Sequence, residues 1–254
     1  MPNKYKEYLR KFLMVVAVIA ILFSGYQLLQ IKEEKDTSKT INKEVVEIIG
    51  KEEDGSVGFL TKKSFQELYA INNDFKGYIY YPSLQINEQV VQGSNNDYYL
   101  DHTFYGDYLS LGTVFVEASQ DMDEQNTTLY GHGTTVSTLK FSNLHKLKKA
   151  SDYDKYKTFY FVDKDFIYEF EVGVVLYAHS IDDYYSIPYW MGSFSESEFS
   201  SFISNAKAKQ FYDTGVNFNA DDNIISLQTC LNATDERRLV VIAKEVSRQP
   251  LKDQ

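Results

Sequence analysis

The stretch from Ile224 to Val246 reads IISLQTCLNATDERRLVVIAKEV. Two apolar, partly β-branched runs, Ile224 to Leu227 and Leu239 to Ala243, flank a polar connection rich in Asn, Thr and Asp. Runs of this kind read as two buried strands joined by a loop. In an antiparallel pair, facing residues lie ~4.5–5.5 Å apart. The hairpin therefore brings Cys230, the only cysteine of the chain, close to an arginine, either Arg237 or Arg238.

A free thiol titrates near ~8.5 and is mostly unreactive at neutral pH. A fixed cation nearby favours the thiolate and can later hold an oxyanion. A cysteine nucleophile also needs a proton partner, usually histidine. A lone cysteine at a strand end can equally be a small buried hydrophobe. The neighbouring motifs decide between the two. Ser226-Leu227-Gln228-Thr229-Cys230, followed by Arg238 ahead of a Val-rich strand, resembles the TLxTC…R signature of sortases, the cysteine transpeptidases of the Gram-positive cell wall. Thr128-Leu129-Tyr130-Gly131-His132-Gly133 resembles the strand that leads to the family histidine. Class B members usually read YGHN, and Gly133 departs from that, as Ser226 departs from the commoner Thr. The resemblance spans roughly residues 65 to 246.

The resemblance implies a mostly β fold: an eight-stranded sortase-type β-barrel with peripheral helices. It implies that Cys230 is the nucleophile, His132 the general acid and base, and Arg238 the oxyanion or substrate holder. Adjacent strand residues point to opposite faces, so only one of Arg237 and Arg238 can face Cys230. The family pattern, with Arg directly before the Val-rich run, selects Arg238. Asn96, Leu100, Tyr185, Thr229 and Leu231 are the expected substrate-binding residues, Leu231 through its backbone N–H. His179, at the end of another strand, is the rival histidine but lacks the LYGH setting. No metal or organic cofactor is expected.

Composition bounds the alternatives. The 254 residues suffice for one sizeable domain and an anchor. Tyr (21) and Phe (17) are abundant, which favours strands. The net charge of −10, with no basic patch beyond the N-terminus, argues against a nucleic-acid partner. A single cysteine excludes an internal disulfide.

In chain order, residues 1–11 form a basic tail carrying Lys4, Lys6, Arg10 and Lys11. Residues 12–31, Phe12 to Ile31, are largely apolar and long enough to cross a ~30 Å hydrocarbon core at ~1.5 Å per residue. They read as a transmembrane signal-anchor, with a cleaved signal peptide as the competing reading. The basic tail then stays cytoplasmic and the remainder is extracellular. Residues 32–63 read as a charged stalk that becomes a short helix and breaks at Asp54-Gly55. Residues 64–254 are the catalytic domain. Ser64 with Glu67, and Ser195 with Glu198, match capping boxes ahead of two helices. The segment 195–211 resembles the long class B insertion. Glu117, Asp121, Asp123 and Glu124 lack the spacing of a calcium loop and read as a solvated acidic turn. His102 and His145 read as non-catalytic. Asn126-Thr127-Thr128 and Asn232-Ala233-Thr234 match the glycosylation triplet but are dismissed as chance.

The expected function is cleavage of a C-terminal sorting signal through a thioester on Cys230. The protein is then transferred to an amine of the peptidoglycan cross-bridge or of a pilin. The alternatives are a cysteine peptidase of another fold acting by hydrolysis, and a non-catalytic surface-binding β module.

Overall fold

The computed structural model describes residues 2–50, 58–133, 139–179, 192–230 and 237–253. Its strands are β1 (Phe75–Tyr81), β2 (Ile86–Val91), β3 (Val114–Val116), β4 (Asn126–Tyr130), β5 (Thr158–Val162), β6 (Phe166–His179), β7 (Ile224–Cys230) and β8 (Arg237–Pro250). They close into one barrel in the order β1-β2-β3-β4-β7-β8-β6-β5. This is the expected eight-stranded barrel. Two pairings, β2 with β3 and β4 with β7, are parallel and all others are antiparallel.

Period-two alternation sorts the side chains. One set, including Ile79, Val90, Leu129, Leu227 and Val241, fills the barrel interior. Val240 and Ile242, on the opposite face of β8, pack under helix α4 (Glu196–Ala208) through Phe199, Phe202 and Ile203. A second outer face, with Tyr78, Val91 and Phe115, is covered by Leu68, Tyr99 and Phe104 and by Ile41, Val45 and Ile49 of the N-terminal helix. Each such aliphatic side chain contributes about 1.5–3 kcal/mol on burial.

The helices differ from the sequence reading in two places. Helix α1 runs unbroken from Pro2 to Ile49, so the charged segment after Ile31 is not a stalk leading to a separate short helix. It stays helical because its weak apolar stripe finds a partner: Ile41, Val45 and Ile49 are buried on the barrel. The expected break at Asp54-Gly55 lies outside the described residues. Helix α2 spans Lys62–Ile71 and is capped by Thr61 with Ser64, not by Ser64 with Glu67. The Ser195–Glu198 capping box of α4 forms as read. A short helix α3 (Tyr153–Tyr156) precedes β5.

One buried ion pair joins these parts. Lys140 Nζ lies 2.8 Å from Glu88 Oε2, and both side chains are only 3% exposed. Glu88 Oε1 also accepts from the Lys140 backbone N–H and from Asn42 Nδ2 of α1. Removing one partner strands the other charge in the interior, which typically costs about 3–5 kcal/mol. Lys140→Ala is expected to lose that much in equilibrium denaturation in mild detergent. The paired replacement Glu88→Gln with Lys140→Met should lose clearly less. A single-variant loss below ~1 kcal/mol would mean that the pair behaves as a solvated surface contact.

Candidate active site

Strand β7 is flanked on one side by β4 and on the other by β8. Along β4 the register is parallel, with Leu129 opposite Leu227 and Tyr130 opposite Gln228. The Gly131 N–H then bonds the Gln228 carbonyl at 3.1 Å. His132 therefore leaves its strand beside the last residues of β7. Along β8 the register is antiparallel, with Thr229 opposite Leu239 and Cys230 opposite Arg238. The three residues singled out from the sequence thus converge on one end of the barrel. The side chain of Cys230 lies outside the description, as do Leu231 and Tyr185.

The two arginines separate as alternation requires. Arg237 is exposed, and its guanidinium lies 4.9 Å from the ring centroid of Tyr177 on β6. Arg238 is half-buried and is the one paired with Cys230. His179 lies opposite Arg237 on β6, so β8 stands between it and β7.

His132 is anchored from outside the barrel. Its Nε2 lies 2.7 Å from the Leu100 carbonyl oxygen. A carbonyl only accepts, so Nε2 carries the hydrogen and Nδ1 is the basic nitrogen of the neutral ring. The Leu100 carbonyl is held in turn by a tight chain crossing. A Cβ on Gly112, whose φ is +54°, would lie 2.4 Å from the Leu100 oxygen and 2.3 Å from the Tyr99 oxygen. Gly131 is held to glycine by a close approach. Its Cβ would lie 2.8 Å from the Phe141 ring.

Leu100 is not core: its side chain is 41% exposed at this end of the molecule. Asn96 uses both ends of its amide within the protein. Its Nδ2 donates to Glu117 Oε1 at 2.7 Å and its Oδ1 accepts from the Ala118 N–H at 2.8 Å. Glu117, read as part of a solvated turn, is in fact buried, and its Oε2 accepts from the Tyr130 hydroxyl at 2.8 Å. Asn96, Glu117 and Tyr130 thus clamp the 94–113 loop to the strand that delivers His132. Thr229 is buried, and its hydroxyl has no hydrogen-bond partner among the described residues. Asn126 is fully buried and accepts from Ser226 Oγ, so its triplet cannot be glycosylated in the fold. Among the described residues no group of three or more His, Cys, Asp or Glu could hold a metal ion.

A family model, the sortase domain, matches residues 79–246. The chain belongs to the sortase family. It is 26% identical over 247 residues to sortase B of Staphylococcus aureus, covering 93% of this chain and 97% of that one. The fold is similar to a crystal structure from Bacillus anthracis described as similar to sortase B, with a TM-score of 0.71 and 30% identity over 84% of this chain and 97% of the other. It is also similar to a Staphylococcus aureus sortase B–substrate complex, with a TM-score of 0.67 and 28% identity over 74% and 86% of the two chains. These likenesses place this sortase in class B, and it is a cysteine transpeptidase.

Gly112→Ala tests the anchoring of the histidine. The added methyl must displace the Leu100 carbonyl, and misplacing a catalytic group by about 1 Å can cost ~100-fold. A loss of roughly 10–100-fold in kcat/KM on a soluble sorting peptide is expected, in protein that remains folded by circular dichroism. Unchanged kcat/KM would show that the carbonyl does not position His132.

Proposed function

We propose that Cys230, His132 and Arg238 carry out the transpeptidation as nucleophile, proton carrier and charge holder. The observation that carries this reading is the register of β7, with Cys230 opposite Arg238 on one edge and the His132 strand on the other. The Cys230 thiolate attacks the carbonyl carbon of the scissile residue in a sorting signal. The tetrahedral oxyanion is held by Arg238 and the Leu231 N–H. The C–N bond breaks as His132 protonates the departing amine, leaving a thioester. An incoming amine then attacks the thioester, His132 takes its proton, and the thiolate is released. The reaction as written requires no cofactor.

Leu100 lines the substrate approach, the buried Thr229 shapes the pocket from beneath, and Asn96 shapes the loop that carries Leu100. Tyr185 is the further contact proposed. The substrates are surface proteins with a C-terminal sorting signal, which agrees with the substrate complex of the Staphylococcus aureus relative. The acceptor is a peptidoglycan cross-bridge or pilin amine. Residues 12–31 cross the membrane, with residues 1–11 cytoplasmic and residues 64–254 outside. This agrees with an apolar helix whose candidate span is unburied in the fold and with the basic charges that precede it.

Peptide transfer assays test the roles. With a sorting-signal peptide and an oligoglycine amine, ligated product should form and Cys230→Ala should abolish it. Arg238→Ala should cost about 10²–10³ in kcat, the range for an oxyanion donor, while Arg237→Ala should change it only severalfold. Equal losses for the two arginines would overturn the choice of cation. Hydrolysis without ligation would favour peptidase action.

A further inference from the structure

The barrel is bound to α1 almost as soon as the apolar segment ends. Side chains from Phe12 to Leu29 are exposed along the helix. Only three residues beyond Ile31, Glu34 accepts a hydrogen bond from Ser110 Oγ. Further along, Asn42 donates to the Asn87 carbonyl and to Glu88, and Glu44 accepts from the Tyr105 hydroxyl at 2.9 Å. Burial and this carboxylate push the Tyr105 phenol up to about 12, so it stays a neutral donor at physiological pH. Three residues of helix rise ~4.5 Å. A bilayer of ~40–45 Å with a ~30 Å core leaves a headgroup layer of ~5–7 Å on each side. The Glu34–Ser110 contact therefore falls within that layer.

The loop around Ser110 is built to meet it. Tyr108 is 70% exposed, and Tyr98, Leu100 and Tyr105 are each about 40% exposed. The rings are not loose. His102 stacks on Tyr98 at 4.2 Å and pairs with Tyr108 in a backbone bridge, while Thr103 N–H bonds the Asp107 carbonyl. Tyrosine, with an apolar ring and a polar tip, suits the headgroup level of a bilayer. Asp101 and Asp107 beside these rings keep the contact shallow. The same loop supplies the Leu100 carbonyl that holds His132.

We propose that residues 97–110 form a second membrane contact, seating Tyr108 among the headgroups of the bilayer that α1 crosses. The element that positions His132 then rests on the membrane. This rests on the reading of residues 12–31 as the span. The active end of the barrel is thereby held at the surface where a membrane-retained protein emerges, and such a protein meets the site without a search through solution.

The test uses the full chain in lipid nanodiscs of phosphatidylcholine and phosphatidylglycerol, made with and without lipids brominated near the headgroup. Tyr108→Trp and, as reference, Val246→Trp at the other end of β8 are each placed in a Trp190→Phe background. Brominated lipid should quench Tyr108→Trp emission strongly and leave Val246→Trp unchanged. Tyr108→Asp should slow cleavage of a membrane-tethered sorting substrate severalfold while leaving a soluble peptide unaffected. Chain that co-elutes with the discs but shows equal emission in both lipids overturns the loop contact alone. Chain that elutes free of the discs overturns the anchor reading, and the loop contact with it.

Discussion

Strand β7 is hydrogen-bonded along both edges, parallel to β4 and antiparallel to β8. The placement of Cys230 opposite Arg238 follows from that pairing. The alternation of β7 and β8 sends Leu227 and Val241 into the barrel, and Val240 and Ile242 under α4. A slip of one residue would exchange these faces, exposing a buried set on each side. The register that protects the core therefore also fixes Cys230 opposite Arg238. Precision in the site is a by-product of hydrophobic sorting along two strands, and the polar side chains at the strand ends need contribute little to it.

The histidine is held by a different device. Its strand ends at Tyr130, and its orientation comes from the Leu100 carbonyl on a loop that crosses the outside of the barrel. That loop is fixed by the Asn96–Glu117–Tyr130 clamp at one end and by the Gly112 crossing at the other. Its outer side meets α1 through Tyr105 and Ser110. A continuous set of contacts thus runs from the N-terminal helix to the His132 imidazole. The buried Glu88–Lys140 pair ties the same helix to the barrel through Asn42. Such a pair is a poor source of net stability but strongly resists the loss of one member.

The sequence made some of this legible and concealed the rest for identifiable reasons. The Ile224–Val246 hairpin could be read because both strands are apolar and share one connection. The extent of β8 could not. Its second half, from Lys244 to Pro250, is mostly polar and is a strand because the 14-residue β6 pairs with it. The parallel pairing of β4 with β7 joins residues about a hundred apart, beyond the reach of any local pattern. The continuity of α1 was hidden because its outer half has only a weak apolar stripe, and the partner that stabilises it lies elsewhere in the chain. Glu117 looked solvated among other acids, since its partners Asn96 and Tyr130 come from separate segments. The carbonyl of Leu100 has no side-chain signature at all.

In the proposed reaction, β7 presents its terminal cysteine to substrate between a histidine strand and an arginine strand. Intact-protein mass spectrometry during reaction with a sorting-signal peptide, in the absence of amine, tests it most directly. An acyl adduct should form that peptide mapping places on Cys230 and that hydroxylamine removes. Turnover with no such adduct, or an adduct mapped to another residue, would contradict it.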